Sequence, residues 1–476
     1  MINNSQIQGK YKVPVVTEQS CEMVTIKASY RVIPNEPTPN GPLWLSESDQ
    51  MVRWTHAATL YIYKANHKDD AIERMRDSLS MILVHYYPIA GRLRWIQGGR
   101  LELDCNAKGV VLMESESTKR MAEYGDFSPK EPIEDLIPTF DYTQPIEEIP
   151  LLVVQVTRLY DKGVAIGVAL SHSLADGFAN VCFINTWAKL VRGDTLDMDE
   201  MFPTLDRSIM LKSSYPSFAP RFDHPEMYPL PLMLGKSDCM EEKNKSLTVA
   251  TLKLTSQQVE KLKKMANDQT QRKGSRPYSK YEAIVAYIWR CACKARQLDD
   301  TQPTQVRFLV DIRNKLNPPL PQNYFGNAVA RTVSPMCNVG ELISSPLSYA
   351  SQKIRESIEI LTNEYIRSQQ DFIRGQEHLD WIRASYIRPK EDRNAPFDGN
   401  PNLGVVSWMS MPWQKADFGW GKPMHFGPGH MWPSDIGVII GGPNGDGSII
   451  ISMHFQVAHM QLFTKFFWQD MLDSSL

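Results

Sequence analysis

The sequence predicts an α/β (α+β) protein with two domains joined by a long connection. Strand-like runs rich in β-branched residues alternate with segments of helical periodicity between about residues 25 and 200, and this alternation resumes after residue 235. Residues 204–235 are crowded with proline and short polar residues and lack periodicity, which is typical of a functional loop or of a crossover between domains. A chain of 476 residues also exceeds what one ordinary hydrophobic core accommodates.

The first half contains two predicted helices and several predicted strands. Apolar residues recur at helical spacing in DAIERMRDSLSMILVHYY (70–87) and in FANVCFINTWAKLV (178–191). The runs LLVVQVTRLY (151–160) and VAIGVAL (164–170) flank the turn DKG, so we predict a hairpin there. The other strand-like runs are MVTIKASYRV, ATLYIYKA, RLELDCN and GVVLMES.

The second half follows the same alternation. TSQQVEKLKKMAND (255–268) predicts a helix that begins after a threonine cap, and YEAIVAYIWRCACKARQ (281–297) predicts a second helix. GGPNGDGS (441–448) lacks the Gly-Lys-Ser/Thr ending of a phosphate loop, so we interpret it as a hairpin turn. The predicted strands are SLTVATLKL, TQVRFLVDIRNK, NLGVVSWMSMPW, IGVIIGG and GSIIISMHFQ.

Charge and cysteine usage argue against several classes of function. The formal net charge is −2, so no basic surplus is available to neutralise a nucleic-acid backbone. Seven cysteines are scattered along the chain, without histidines or a second pair at zinc spacing, so we expect free buried thiols and no metal site. The N-terminus lacks the apolar segment of a signal peptide, and no stretch approaches the about eighteen apolar residues of a membrane span. We therefore expect a cytoplasmic protein.

The stretch ALSHSLADGFAN (169–180) has the features of a catalytic loop. His172 stands where a predicted strand ends and a predicted helix is about to begin, and rigid elements on both sides hold such a loop in place. Small neighbouring residues leave room for a substrate, and an imidazole can take and return a proton near neutral pH. The His-x-x-x-Asp spacing alone is not specific, and a histidine that caps a helix or is satisfied in the core is the alternative. Asp176 either bonds to the ring or turns away and braces the loop.

Three competing catalytic signatures are absent from the sequence. It contains no Gly-x-Ser-x-Gly elbow of a serine hydrolase, no His-Glu-x-x-His zinc helix and no Gly-x-Gly-x-x-Gly dinucleotide fingerprint. A catalytic His172 would therefore act without a nucleophilic partner that the sequence reveals.

Two motifs together carry a family resemblance. HSLADG and KADFGWGKP (415–423) resemble the paired motifs of the BAHD family of plant acyl-CoA-dependent acyltransferases. YPIAGRLRW (87–95), NPPLPQNYFGNA (317–328) and NPNLGVVSW (400–408) are similar to further landmarks of that family. The resemblance extends from about residue 23 to the end of the chain. Within the family, MVTIKASYRVIPNEPTP, LVHYYPIAGRLRW, RCACKAR and QVAHM are most similar to spermidine hydroxycinnamoyl transferases.

The resemblance implies two chloramphenicol-acetyltransferase-like domains with an active-site channel between them. The N-terminal domain would span residues 23–203 and carry HSLADG, whereas the C-terminal domain would span residues 236–476 and carry DFGWG. Residues 204–235 would form the crossover loop, and residues 1–22 would be an N-terminal extension. Acyl-CoA would be a co-substrate, no separate cofactor or metal would be needed, and a monomer is expected.

The resemblance also implies a role for each candidate site residue. His172 would be the general base that deprotonates the acceptor and returns the proton to the CoA thiolate, without a covalent acyl-enzyme. Asp176 would be structural and paired with Arg313, and Asp417 of DFGWG would be structural as well. The remaining implied contacts are substrate-lining positions Thr59, Tyr61, Ser407 and Trp408 and the CoA-side position Ser279. From the residues alone, core packing is the more common role of such positions.

The acceptor segments depart from the family patterns. Shikimate-using relatives place an arginine before Pro-Asn-Leu-Gly, whereas this chain has Asp398 and Gly399 there, so an anionic acceptor loses a bidentate partner. Spermidine-type enzymes have an acidic loop after GPG, of which this chain keeps Asp435 and adds His430 and Trp432. A polyamine needs several carboxylates to replace its water, so this less acidic wall suits a bulkier monocation or a neutral alcohol.

The leading expectation is transfer of an aromatic acyl group, such as hydroxycinnamoyl, from CoA to a polyamine-like amine. The alternative keeps the chemistry but places the acceptor hydroxyl on an alkaloid or another specialised metabolite. A third hypothesis is a non-catalytic relative that binds ligands through the same fold. It is disfavoured because His172, Asp176 and DFGWG are all intact.

Overall fold

The computed structural model confirms the predicted mixed α/β fold. The extension predicted over residues 1–22 and Trp432 lie outside the residues that it describes. Two compact units are present: the first contains the described residues up to Arg207 together with Asn323–Gly326 and Lys415–His430, and the second contains the rest. The described residues are 23–64, 70–130, 132–211, 219–268, 276–384, 398–431 and 434–473.

The strands and helices alternate along most of the described chain. The strands are β1 (Val24–Val32), β2 (Pro42–Leu43), β3 (His56–Tyr63), β4 (Arg92–Ile96), β5 (Arg100–Asp104), β6 (Val110–Ser117), β7 (Leu152–Arg158), β8 (Val164–Ser171), β9 (Leu247–Leu254), β10 (Pro303–Thr304), β11 (Val306–Asp311), β12 (Val329–Val333), β13 (Cys337–Asn338), β14 (Leu403–Trp408), β15 (His425–Pro428), β16 (Ile436–Gly441) and β17 (Ile449–Gln456).

The helices include every long helix that the sequence predicts. They are α1 (Glu47–Met51), α2 (Ala71–His85), α3 (Gly177–Arg192), α4 (Met198–Met201), α5 (Met240–Lys243), α6 (Ser256–Asn267), α7 (Lys280–Arg296), α8 (Val339–Ser344), α9 (Leu347–Glu359), α10 (Asn363–Arg374), α11 (Asp380–Ala384) and α12 (Val457–Asp473). Short 3-10 helices occur at Tyr87–Ala90, Gln97–Gly99, Met121–Tyr124, Ile133–Leu136, Arg207–Leu211, Pro225–Met227 and Trp413–Lys415.

The first unit is built on a six-stranded sheet with the order β1-β6-β7-β8-β3-β15. The predicted hairpin is confirmed, because β7 and β8 pair antiparallel, and only β6 and β7 run parallel. Every residue of β8 is buried, as expected for a continuous apolar strand. On one face α3 packs against α2, where the Trp187 indole donates to the carbonyl of Met75 at 3.2 Å. The sheet thus holds β8, and the loop that follows it, in the middle of a packed unit.

The DFGWG segment belongs to the first unit, which corrects its predicted place in the C-terminal domain. Lys415–His430 cluster with the N-terminal half, and β15 pairs antiparallel with β3 from His425 opposite Ile62 to Pro428 opposite Thr59. The Tyr63 hydroxyl also donates to the carbonyl of Ala416 at 2.6 Å. The prediction failed because strand pairing across more than 300 residues leaves no local pattern in the sequence.

The second unit is built on a six-stranded sheet with the order β12-β11-β14-β16-β17-β9. The strand β14 is parallel to both of its neighbours, β11 and β16, and lies inside the sheet. GGPNGDGS joins β16 to β17 as an antiparallel hairpin, which confirms its interpretation as a turn. Helix α7 supplies much of the core, and its Trp289, Cys291 and Cys293 are fully buried. The six cysteines within the described residues are free thiols.

The predicted crossover contains short 3-10 helices but no named strand or α-helix in its described residues, 204–211 and 219–235. Part of it is fastened within the second unit. Ser368 Oγ of α10 accepts hydrogen bonds from the backbone N–H groups of Arg221 and Phe222, at 2.8 and 3.1 Å. Among all the residues that the structure describes, no helix combines the length and the apolar character needed to cross a membrane.

We expect Tyr63→Phe to lower the free energy of unfolding by about 1–3 kcal/mol, because it leaves the buried carbonyl of Ala416 without its donor. Tyr61→Phe is the matched control, since Tyr61 is equally buried on the same strand but its hydroxyl has no hydrogen-bond partner within the described residues. Urea unfolding of both variants measures the difference. Equal losses for the two variants would show that the Tyr63–Ala416 bond does not anchor the DFGWG segment.

Candidate active site

The loop that carries His172 is fastened to the chain segment that leads into β3. The backbone N–H of His172 donates to the carbonyl of Thr55 at 3.1 Å. The hydroxyl of Ser171 donates to the carbonyl of Trp54 at 3.0 Å, and that of Ser173 bonds weakly to the carbonyl of Arg53 at 3.4 Å. Residues 171–173 therefore all donate hydrogen bonds to the carbonyls of residues 53–55. These bonds fix the backbone of His172 on both sides.

Asp176 caps the helix that follows this loop. Its Oδ1 accepts a hydrogen bond from the backbone N–H of Ala179 at 2.9 Å, so α3 begins at Gly177 with a carboxylate at its N-terminus. The Arg313 guanidinium is buried and bonds to the carboxylate of Asp311 at 3.2 Å. Asp176 and Arg313 belong to different units, and the pairing implied by the resemblance stays a prediction.

Two candidate substrate contacts, Thr59 and Tyr61, lie on one face of β3. Residues two apart on a strand share a face, and both side chains are buried. Neither hydroxyl has a hydrogen-bond partner within the described residues. Burial raises the pKa of the Tyr61 hydroxyl well above its usual range, so it stays a donor. Buried hydroxyls without partners are costly, which makes them suitable donors to an oxygen atom of a bound molecule.

The DFGWG motif forms a tight turn organised by the Asp417 carboxylate. Oδ1 of Asp417 accepts backbone N–H bonds from Gly419 at 2.8 Å and from Gly421 at 2.9 Å. Both glycines have a positive φ, which explains why glycine stands at these two positions. Phe418, between Asp417 and Gly419, packs edge-on against Trp187 of α3, with ring centroids 5.1 Å apart. The Asp417 carboxylate therefore stabilises the backbone of its own turn.

The other candidate contacts lie in the second unit. Ser407 and Trp408 end the central strand β14, and Trp408 is 8% exposed. Ser279 is the N-cap of α7, where its hydroxyl accepts from the backbone N–H of Glu282 at 3.2 Å and the Glu282 carboxylate accepts from the backbone N–H of Ser279. This capping box is a structural function that the sequence analysis missed, although Ser-x-x-Glu before a helix predicts it. The substrate and CoA contacts of these residues stay predictions.

The acidic residues of the acceptor segments form ion pairs with buried arginines. The Asp435 carboxylate accepts from the guanidinium of Arg296 at 2.6 Å and from the backbone N–H groups of Asn400 and Gln456, at 3.0 and 3.1 Å. Asp398 forms an ion pair with the guanidinium of Arg307, which is 5% exposed. Sequence reasoning could not find these partners, because Arg296 and Asp435 are 139 residues apart. These ion pairs hold the acceptor segments within the second unit.

A buried imidazole beside the His172 loop was also missed. The Tyr142 hydroxyl bonds to Nδ1 of His56 at 2.9 Å, and Nε2 of His56 bonds to the carbonyl of Pro150 at 2.8 Å. The Pro150 carbonyl can only accept, so Nε2 carries the proton and Tyr142 donates to Nδ1. Burial, together with the positive charge of Arg53, lowers the pKa of His56 to about 3. His56 is therefore a neutral residue that positions Tyr142. In the sequence, the one feature that could have indicated this role is a histidine at the start of an apolar strand.

A second hydrogen-bonded group around a histidine lies in the second unit and is fully buried. His224 bonds through Nδ1 to Glu226 at 2.8 Å and through Nε2 to Ser368 Oγ at 3.0 Å, which is the order of a serine-hydrolase triad. All three side chains are buried, and Ser368 Oγ already accepts two backbone N–H bonds. This arrangement anchors the crossover segment to α10, and its buried Ser368 is not an accessible nucleophile. Within the described residues, no group of histidine, cysteine, aspartate and glutamate is arranged to hold a metal ion.

Comparisons with known proteins define the family. The Transferase family matches residues 22–470. The hydroxycinnamoyl-CoA:piscidic acid hydroxycinnamoyltransferase of Actaea racemosa is 42% identical over 454 residues, covering 94% of this chain and 100% of the relative. The shikimate O-hydroxycinnamoyltransferase of Nicotiana tabacum is 34% identical and covers 94% and 99%. The hydroxycinnamoyl-CoA:5-hydroxyanthranilate N-hydroxycinnamoyltransferase HHT1 of Avena sativa is 34% identical and covers 93% and 98%.

Solved structures show the same fold at lower identity. Vinorine synthase superposes with a TM-score of 0.66 at 20% identity, covering 92% of this chain and 96% of that one. TRI101 of F. graminearum, solved with coenzyme A and T-2 mycotoxin, gives a TM-score of 0.73 at 16% identity and covers 89% and 96%. This chain belongs to the Transferase family of BAHD acyltransferases and is an acyl-CoA-dependent acyltransferase. Acyl-CoA is its co-substrate, and no separate cofactor is required.

We expect Asp435→Asn to lower the free energy of unfolding by about 3–5 kcal/mol, because it removes the negative charge that neutralises the buried guanidinium of Arg296. Glu116→Gln is the control, since the exposed ion pair of Glu116 with Lys27 should contribute less than about 1 kcal/mol. Thermal and urea unfolding measure both changes. An Asp435→Asn variant of unchanged stability but with a raised acceptor KM would show that this carboxylate meets the acceptor instead.

Proposed function

We propose that this protein transfers a hydroxycinnamoyl group from CoA to a hydroxyl or amine of a small acceptor, with His172 as the general base. The observation that carries the proposal is the position of His172, which directly follows a fully buried strand and whose backbone is hydrogen-bonded to the entrance of β3. The hydroxycinnamoyl donor is supported by the three relatives, each of which is named as a hydroxycinnamoyltransferase.

The proposed reaction needs one proton carrier and no covalent acyl-enzyme. The His172 imidazole takes the proton from the acceptor as its oxygen or nitrogen attacks the thioester carbonyl. The resulting tetrahedral intermediate collapses, the carbon–sulfur bond breaks, and the imidazolium returns the proton to the CoA thiolate. Thr59 and Tyr61 are proposed to donate hydrogen bonds to a substrate oxygen, because their buried hydroxyls have no other partner within the described residues. Trp408 is proposed to lie near the developing oxyanion, and Ser279 on the CoA side.

The acceptor is proposed to carry a nucleophile that is neutral at pH 7, in contrast to the polyamine-like amine that leads the sequence-based expectations. A polyamine needs carboxylates to replace its water, whereas Asp435 and Asp398 already form ion pairs with buried arginines. The names of the three relatives give piscidic acid, shikimate and 5-hydroxyanthranilate as acceptors. A hydroxyl or an aromatic amine therefore fits better than an aliphatic ammonium.

The acceptor class is testable with p-coumaroyl-CoA and a panel of acceptors. The panel contains piscidic acid, shikimate, 5-hydroxyanthranilate and spermidine, with products identified by mass. We expect at least one of the first three to be acylated with a kcat/KM about 100-fold above that of spermidine. Preferential acylation of spermidine would instead support a polyamine as the acceptor. The absence of product with every acceptor would contradict the proposed function.

We expect His172→Ala to lower kcat by about 10²- to 10⁴-fold, the usual span for loss of a general base. His85→Ala is the matched control, because His85 ends α2 and makes an edge contact with Phe202 outside the proposed site. The control should keep its turnover within about twofold, since most substitutions away from a site are mild. A folded His172→Ala variant with near-normal turnover would overturn the mechanism.

The pH dependence of kcat/KM distinguishes a neutral nucleophile from an aliphatic amine. A neutral hydroxyl or aromatic amine has no ammonium proton to lose before it attacks, so its kcat/KM should not follow the titration of an aliphatic amine between about pH 7.5 and 9. An aliphatic ammonium must lose a proton before it can attack, so its rate would climb throughout that range. Such a climb with the preferred acceptor would contradict the proposed acceptor class.

A further inference from the structure

We infer that Arg207 is a positioning residue for His172, the proposed base. Paired with Asp49 inside the first unit, it holds a carbonyl of the loop that carries His172. This inference rests on the proposed function and adds to it a residue that acts on the base from outside its own loop. Arg207 belongs to the predicted crossover and lies outside every motif to which the sequence assigned a role.

The Arg207 guanidinium joins α1, the His172 loop and the start of the crossover. Its Nε donates to Oδ2 of Asp49 at 3.0 Å. Its Nη2 donates to the carbonyl of Leu174 at 2.9 Å, and its Nη1 donates to the carbonyl of Leu205 at 3.2 Å. The side chains of Arg207 and Asp49 are 1% and 0% exposed, so bulk water does not compete for these bonds. Arg207 is therefore held in one orientation by its protein partners.

The Leu174 carbonyl is a point of the loop that the entrance of β3 does not hold. His172 is the second residue of a turn that the N–H of Leu174 closes by donating to the carbonyl of Ser171 at 3.0 Å. The entrance of β3 holds residues 171–173 of this turn. Arg207 holds its last residue, so the turn is fixed at both of its ends.

The counter-ion of Arg207 comes from a polar helix that is buried throughout. All five residues of α1 (Glu47–Met51) are buried, although four of them are polar or charged. Gln50 bonds to both the N–H and the carbonyl of Leu101 on β5, which fixes the helix in place. Burial of a carboxylate is costly unless it is paired, and the ion pair of Asp49 with Arg207 offsets that cost. The buried helix thus presents Asp49 to the side chain that holds the loop.

A displaced loop matters because general-base catalysis depends on distance. The His172 imidazole must come within about 2.6–3.2 Å of the attacking atom of the acceptor. A misplacement of about 1 Å can lower a rate about 100-fold. Loss of the bond between Arg207 and the Leu174 carbonyl should therefore lower kcat, with little effect on the KM of either substrate.

The test is Arg207→Lys, which keeps a positive charge beside Asp49 but loses the planar fork that bonds Asp49 and Leu174 together. With p-coumaroyl-CoA and the best acceptor of the panel, we expect kcat to fall about 10- to 100-fold. The KM of each substrate should stay within about threefold of the wild-type value, because the binding surfaces are unchanged. All variants are assayed at a temperature at which their unfolding curves show folded protein.

Arg92→Lys is the matched control. Arg92 is also a buried arginine of the first unit, is 5% exposed, and bonds through its guanidinium to the carbonyls of Gly91 and Gly109. Its replacement should lower stability while kcat stays within about twofold of the wild-type value. A loss of kcat in Arg207→Lys alone therefore reports on the loop and not on general destabilisation.

A mutant cycle tests whether Arg207 acts together with Asp49. Asp49→Asn should lower kcat as well, and the double variant Asp49→Asn/Arg207→Lys should be no slower than the slower single variant, because both changes break the same contact. If Arg207→Lys does not fold, Asp49→Asn/Arg207→Met takes its place, since this pair of changes leaves no unpaired buried charge. It should show the same loss of kcat.

The outcomes separate the inference from the proposed function. A wild-type kcat in folded Arg207→Lys or in Asp49→Asn/Arg207→Met would overturn the positioning role, and so would an equal loss of kcat in Arg92→Lys. Effects of Asp49→Asn and Arg207→Lys that multiply would overturn the joint action of the pair. In each of these cases His172 remains the proposed base. Near-normal turnover of His172→Ala would instead overturn the proposed function, and the role of Arg207 with it.

Discussion

Strand β3 is the element on which the candidate site depends, because it is hydrogen-bonded on both edges. One edge pairs with β8, which ends just before His172, and the other pairs with β15, which follows the DFGWG turn. Residues 53–55, just before the strand, hold the backbone of the His172 loop, and residues 59 and 61 place two hydroxyls on one face. Two motifs that are far apart in the chain are therefore aligned by one strand.

Charge in this protein is distributed between structural pairs and the candidate site. Asp435 and Asp398 form ion pairs with buried arginines, and Asp176 caps a helix, so these acidic residues of the motifs serve the fold. Beside the His172 loop, in contrast, the buried imidazole of His56, which pairs with Ser171, is neutral.

The local features were predictable from the sequence, and the long-range ones were not. The strand–loop–helix junction at His172, the β7–β8 hairpin and the 441–448 turn each follow from residue types within about a dozen positions. The place of DFGWG in the first unit and the Arg296–Asp435 pair depend on contacts across hundreds of residues.

We propose that His172 promotes direct transfer from CoA to the acceptor without an acyl-enzyme. The most direct measurement is the intact mass of the protein after incubation with p-coumaroyl-CoA in the absence of acceptor, with free CoA measured in parallel. Direct transfer predicts an unmodified protein and no burst of CoA, followed by prompt product formation when acceptor is added. A protein heavier by one coumaroyl group, with a stoichiometric release of CoA, would contradict it.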